Sequence, residues 1–152
     1  DNRADLLAVM ERISGTSPAD IMNVRMIVEP QAASVSAANA RPGDLIAIRN
    51  AHELAIASRD TQAFEAWDTE FHKRIFESTR NDFLTALHDI LKSVRTREQW
   101  LTLKLRRFSE TRRLTYCNEH AAVYEAIVNR DPRGAAAAMQ QHMITVRDNL
   151  FA

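Results

Sequence analysis

The chain has 152 residues, of which 45% are hydrophobic and 26% charged, a composition typical of one soluble globular domain. Its formal net charge is zero, so the sequence lacks the excess of positive charge that is typical of proteins that bind nucleic acid. The single cysteine, Cys117, excludes an internal disulfide and favours a cytoplasmic location, and no apolar run approaches the roughly 20 residues that cross a bilayer.

Helix-breaking residues are rare, with only three Gly and four Pro, which predicts an all-α protein with short connections. Residues 3–13 have a weak helical pattern that ends at Gly15. We expect residues 1–16 to be the end of a linker or a first packing helix. Residues 17–152 are expected to form the main domain.

Clear start signals mark two of the later helices. Ser17 and Asp131 can each cap a helix, and each is followed by Pro at the first helical position. Residues 104–109 are predicted to form a basic, exposed connection. No strand-like alternation of useful length occurs. The sequence therefore predicts an antiparallel bundle of six or seven helices, over residues 3–13, 17–40, 44–58, 61–78, 82–103, 110–129 and 132–150.

The helix predicted over residues 61–78 carries an unusual pair on its apolar side. Asp68 and His72 are one turn apart and share a face with Phe71 and Ile75. An ionised carboxylate is costly to bury without a partner, so Asp68 requires a cation or a hydrogen bond. The pair alone leaves both a metal site and a simple Asp–His hydrogen bond open.

Two further predicted helices also place histidine on their apolar sides. His120 shares a stripe with Val123 and Ile127, and His142 shares one with Met139 and Val146. Three neutral imidazoles and one carboxylate suit a divalent transition metal, zinc first, with nickel, iron or manganese possible. The sequence therefore predicts a metal site whose ligands are Asp68, His72, His120 and His142.

Arg25 is a second polar residue with apolar helical neighbours, among them Met22 and Val28. Arginine keeps its charge, so a guanidinium that points inward requires an anion. Two interpretations stay open: an ion pair with Glu29 one turn later, or a carboxylate ligand bound in the same cavity as the metal. Arg112, before the His120 segment, is expected at the surface or in a dimer contact, like its neighbour at position 113.

The doublet His88-Asp89 allows a different class of function, a metal-dependent HD-type phosphohydrolase, with His72 upstream and Asp131 downstream. Adjacent residues diverge by about 100° around a helix, and this class leaves the four-ligand set without a role. His88 and His52 are therefore left out of the predicted site. A ferritin-like di-iron bundle is disfavoured because the sequence has no Glu-x-x-His pair.

Several short motifs occur in an order that resembles one family. They are the segment from Arg25 through Glu29-Pro30 to Ala33, the D-x-x-F-H motif at residues 68–72, Glu119-His120, and Asp131, Ala135, Met139 and His142. Together they resemble the ligand-binding domain of GntR-type transcription regulators of the FadR C-terminal-domain (FCD) type. The resemblance covers about residues 17–150.

This resemblance implies a sensor domain rather than an enzyme. Asp68, His72, His120 and His142 would bind the metal, and the cavity beside it would bind a small organic acid, a carboxylate or sugar acid, with Arg25 as anchor. Such domains form homodimers and follow an N-terminal winged helix-turn-helix that binds operator DNA. That DNA-binding domain is expected to be absent from this sequence. A metal with a purely structural role is the alternative.

Overall fold

A computed structural model describes the backbone of residues 1–152 and the side chains of all residues except 98, 99 and 105–107. The predicted all-α fold is confirmed. Across this described backbone there are eight helices rather than six or seven: α1 (Asn2–Ser14), α2 (Pro18–Asn39), α3 (Pro42–Ala57), α4 (Thr61–Ser78), α5 (Asp82–Arg95), α6 (Glu98–Arg107), α7 (Glu110–Val128) and α8 (Pro132–Leu150).

The additional helix arises because the segment predicted as one helix over residues 82–103 breaks at Thr96 and Arg97. In a continuous helix Trp100 would point about 180° away from Leu91. The break lets both side chains enter one apolar cluster with Ile21 and Leu150. Burial of the large indole in this cluster therefore favours two shorter helices over one long one.

α6 also replaces most of the connection that was predicted over residues 104–109. The helix continues to residue 107, and Lys104 is half-buried instead of exposed. The exposure predicted for residues 105–107 lies outside the described side chains.

The helices that carry the predicted ligands begin at well-formed caps. The Asp60 side chain accepts a hydrogen bond from the Ala63 amide at 2.7 Å at the start of α4. The Asp131 side chain does the same for Gly134 at 3.0 Å at the start of α8. Each cap satisfies an amide that has no partner within its helix, and so fixes where the helix starts.

One continuous core joins α2, α3, α4, α7 and α8. Its largest members include Phe71 and Ile75 of α4 and Met139 of α8, none of which is exposed, and small alanines of α2 face them. Small side chains let α2 approach α8 closely, as dense packing requires. The core lies around the inner faces of α4, α7 and α8, so polar side chains on those faces are held rigidly.

α1 differs from the other helices because none of its residues is buried. Leu6 and Leu7 are more than 60% exposed. No helix in the described chain is long and apolar enough to cross a membrane.

Candidate metal centre

The structure brings the four predicted ligands together from three helices. Asp68 and His72 lie on α4, His120 on α7 and His142 on α8, and one ligand atom of each lies within 4.8 Å of all the others. The Nε2 atom of His120 is 3.0 Å from Asp68 Oδ1 and 3.0 Å from His142 Nε2. The three imidazoles are buried, and the carboxylate is partly exposed.

Glu29 orients the imidazole of His72. Its Oε1 lies 2.5 Å from His72 Nδ1, and both side chains are buried. A carboxylate acceptor places the ring proton on Nδ1 and leaves the Nε2 lone pair directed at the cluster. His72 Nε2 has no hydrogen-bond partner among the described atoms and lies 3.6 Å from Asp68.

Glu119 does the same for His142. Its Oε1 accepts from His142 Nδ1 at 2.8 Å, and its Oε2 accepts from the Thr145 hydroxyl at 2.5 Å. The Nε2 atom of His142 therefore also presents a lone pair to the cluster. These two lone pairs and the Asp68 oxygen converge on one point, where either the Nε2 proton of His120 or a metal cation relieves their mutual repulsion.

His120 is held by packing instead of by a carboxylate. Its ring stacks on Phe71, with centroids 4.4 Å apart. Its Nδ1 has no hydrogen-bond partner in the described part of the chain. His52 lies edge-on to this ring, with centroids 6.3 Å apart, and is not one of the four clustered ligands.

The electrostatics of the carboxylates suit a bound cation. Burial opposes ionisation of Asp68, but the contact with His120 Nε2 and the proximity of the His72 imidazole outweigh it and hold the pKa of Asp68 well below its usual range. Burial likewise opposes ionisation of Glu29, yet Arg25 and His72 lower its pKa well below normal. Both groups are therefore anionic at neutral pH.

The imidazoles divide into two classes. Burial and the nearby charge of His142 lower the pKa of His120 to about 4, and burial and the charge of His72 lower the pKa of His142 to about 3. Burial acts in the same direction on His72, but Glu29 and Asp68 together raise its pKa above the usual value for histidine. His120 and His142 are thus neutral before a metal binds, and a metal competes with a proton mainly at His72.

A cavity of about 50 Å³ opens beside the cluster. Asp68, His72 and His142 line it, so three of the four clustered ligands face its interior. The donor set, the fixed ring orientations and the shared space fit a divalent transition metal that is accessible from the cavity. The cluster could hold such an ion.

Four cationic side chains also line the cavity: Arg25, Arg95, Lys104 and Arg112. Arg25 donates from Nε to Glu29 Oε2 at 2.5 Å, so the predicted ion pair is present, and its side chain also borders the cavity. Lys104 pairs with Glu65 at 2.5 Å. Among the side chains that line the cavity, cations thus outnumber carboxylates by four to two, the carboxylates being Glu65 and Asp68.

Three of these cations were not predicted to line the cavity. Arg112 was expected at the surface or in a dimer contact, but it borders the cavity and donates to the Asn149 carbonyl at 3.4 Å. Arg95 carried a usable signal, because it follows Leu91 by four residues on the apolar stripe of α5. Lys104 carried none, since its position depends on the break between α5 and α6.

The HD doublet does not form a cluster. His88 is buried with its ring 5.1 Å from that of Phe76, whereas Asp89 is exposed. Neither belongs to the group of clustered ligands found among the described residues. The geometry gives the phosphohydrolase interpretation no support.

Known proteins similar to this chain are transcription regulators. The Uxu operon transcriptional regulator of Escherichia coli (strain K12) is 28% identical over 140 residues, 88% of this chain and 54% of that protein. The HTH-type transcriptional regulator LutR of Bacillus subtilis (strain 168) is 29% identical over 137 residues, 86% of this chain and 60% of that protein. The chain thus spans about half the length of the curated relatives it matches.

A solved structure and a family model match the same region. The structure of Streptococcus agalactiae GntR superposes with a TM-score of 0.70 at 20% identity, over 91% of this chain and 59% of that one, and so shares its fold. The FCD domain model matches residues 20–145, most of the chain. The chain therefore belongs to the FCD domain family of GntR-type transcription regulators.

Proposed function

We propose that this chain is the metal-dependent effector-binding domain of a transcription regulator. Asp68, His72, His120 and His142 hold a divalent transition metal, zinc first, and Arg25 helps to bind a small organic acid beside it. The observation that carries the proposal is the convergence of four ligand atoms within 4.8 Å at the wall of a cavity lined by cations.

The size of the cavity restricts the class of effector. Because a water molecule requires about 10–15 Å³ of such space, a volume of about 50 Å³ accommodates roughly four waters. That space suits a short organic acid and is too small for a nucleotide or a long acyl chain. A bound metal would supply a Lewis-acidic contact for the acid's carboxylate.

The structure of the site suggests how binding is communicated. A ligand in the cavity contacts α4 and α8 through Asp68 and His142, and α2 through Arg25. The effector can change operator affinity only by the difference between its own binding free energies for two arrangements of these helices. Operator binding itself belongs to a DNA-binding domain outside these residues, and this domain is a sensor, not an enzyme.

We also propose that the domain is a homodimer. Leu6 and Leu7 of α1 and Ile27 of α2 are more than 60% exposed, and apolar side chains exposed in this way favour an interface. Similarity to proteins such as the Uxu operon transcriptional regulator of Escherichia coli supports a role in transcription.

The proposal is tested by thermal unfolding of metal-loaded and chelator-treated protein with added short carboxylic acids. An acid at about 100 times its Kd is expected to raise the midpoint by about 5–10 °C when metal is present and to have no effect in chelator. Sodium chloride at equal ionic strength controls for screening. If metal raises the midpoint but no acid raises it further, the metal has a structural role only.

Metal affinity is expected to depend on pH because one proton, that of His72, must leave before the metal binds. Above its raised pKa His72 is neutral, so the affinity is constant; below it, affinity falls about tenfold per pH unit. His120 and His142 stay neutral down to about pH 4 and so do not steepen the slope. Competition with a chromophoric chelator over about pH 5 to 8 measures this slope.

Metal-free protein should respond to pH in the opposite sense. A protonated His72 stabilises the fold below its pKa, and this contribution is lost as the pH rises through that value. For the metal-loaded protein, a metal affinity that depends on three protons instead of one would contradict this assignment of histidine protonation states.

A further inference from the structure

The cavity wall formed by the end of α5 and the start of α6 contains two buried donors without acceptors. Arg95 is 5% exposed and Trp100 is fully buried, and both line the same cavity as Asp68 and His72. Among the described residues, Arg95 Nε and Trp100 Nε1 have no hydrogen-bond partner. Buried donors of this kind are rare, because each loses its hydrogen bonds to water without replacement.

Packing explains the indole ring but not its N–H group. The ring packs with Ile21, Leu91, Val94 and Leu150. A phenylalanine would fill much of this site without burying a donor. Because Trp100 borders the cavity, its unpaired N–H suggests that an acceptor is bound nearby when the domain functions.

Arg95 differs from the other arginine deep in the cavity. The charge of Arg25 is met by Glu29 at 2.5 Å, whereas the Arg95 Nε atom meets no carboxylate in the described part of the chain. Burial and the nearby charge of Arg25 lower the pKa of Arg95 to about 10, so it remains a cation at neutral pH. A buried guanidinium of this kind binds a carboxylate well, in a two-point geometry.

The charges around the cavity indicate how many negative charges a ligand brings. Four basic side chains line the cavity: Arg25, Arg95, Lys104 and Arg112. Four carboxylates balance them, of which Glu65 and Asp68 line the cavity and Glu29 and Glu119 lie behind the imidazoles of His72 and His142. A divalent metal then leaves two positive charges without compensation. A ligand with two negative charges neutralises them.

We propose that Arg95 and Trp100 form a second anion-binding subsite, so that the effector is a short dicarboxylic acid with one carboxylate at the metal and the other at this wall. This inference rests on the proposed function, because the first carboxylate requires the metal. Beyond the proposed function, the inference specifies that the effector has two acidic groups and that Arg95 and Trp100 select for the second one.

Butyrate and succinate, which have the same number of carbons and differ by one carboxylate, provide the test. Calorimetric titration of the metal-loaded protein is expected to show that succinate binds roughly 10- to 100-fold more tightly than butyrate. Arg95→Gln should remove this preference and leave butyrate affinity and metal content unchanged. Trp100→Phe, which keeps an aromatic ring, should reduce the preference in part.

Arg74→Gln is the matched control, because Arg74 is 42% exposed and bonded to Glu70 on the same helix. It should keep the preference for succinate. Arg95→Gln should also raise the thermal midpoint of the ligand-free protein, since it removes an unpaired buried charge. If that variant does not fold, the Trp100→Phe result decides the assignment.

The possible failures can be told apart. Equal affinity for the two acids, with binding that still depends on metal, overturns the second subsite and leaves the proposed function standing. If neither acid binds metal-loaded protein, even at concentrations far above the expected Kd, both the second subsite and the proposed function are overturned. An unchanged succinate preference in Arg95→Gln and in Trp100→Phe excludes these residues as the subsite.

Discussion

Replacing His142 with alanine is expected to lower metal affinity by roughly 10²- to 10³-fold. A zinc site with four protein ligands contributes about 10–16 kcal/mol of binding free energy, so one ligand contributes roughly a quarter of it. The change also leaves Glu119 without the imidazole that it contacts at 2.8 Å. Elemental analysis after dialysis, and chelator competition, measure the loss.

His88→Ala provides the matched control for this experiment. His88 is as buried as His142, and burial with the nearby charge of Arg95 lowers its pKa to about 3, but it is not one of the clustered ligands. The variant should keep its metal even if it is less stable. Loss of metal in His88→Ala, with retention in His142→Ala, would contradict the assignment and revive the phosphohydrolase interpretation.

Replacing Glu29 with alanine is expected to have the largest effect on folding. It leaves the guanidinium of Arg25 buried without its counter-ion, and the Nδ1 atom of His72 without its acceptor. Removal of one partner of a buried ion pair costs about 3–5 kcal/mol in free energy of unfolding. Loss of a carboxylate behind a ligand also lowers metal affinity by about 10- to 100-fold.

The double substitution Arg25→Met with Glu29→Leu separates these two effects. It removes both charges and fills the space with apolar groups, so most of the lost stability should return. Metal affinity should stay low, because His72 still lacks its acceptor. Urea unfolding in chelator measures the first quantity and metal competition the second. A cost below about 1 kcal/mol for Glu29→Ala would show that the pair behaves like an exposed one.

The first prediction concerns a metal ligand, His142, and the second concerns Glu29, which holds the ligand His72 in place. Asp68, His72, His120 and His142 converge from three helices whose starting points are far apart in the chain. Glu29 and Glu119 hold two of these imidazoles from neighbouring helices. A metal at this point would join α4, α7 and α8, and the orientation of its ligands would depend on α2 as well.

Periodicity and capping in the sequence were sufficient to predict most of the helices. Ser17, Asp131 and the proline that follows each of them marked α2 and α8 correctly, because capping is decided by residues close in sequence. The apolar spacing placed Asp68 and His72 on an inward face for the same reason. Polar residues on apolar stripes therefore identified the members of the cluster before any contact was known.

The tertiary structure alone decided which distant groups meet. The break between α5 and α6 follows from the burial of Trp100 with Leu91, a contact that no local pattern indicates. The partnership of Glu119 with His142 depends on the packing of α7 against α8. Lys104 reaches the cavity only because that break redirects the chain. Local propensity fixes the helices and their inward faces, whereas the packing of those faces determines where charges in different helices come together.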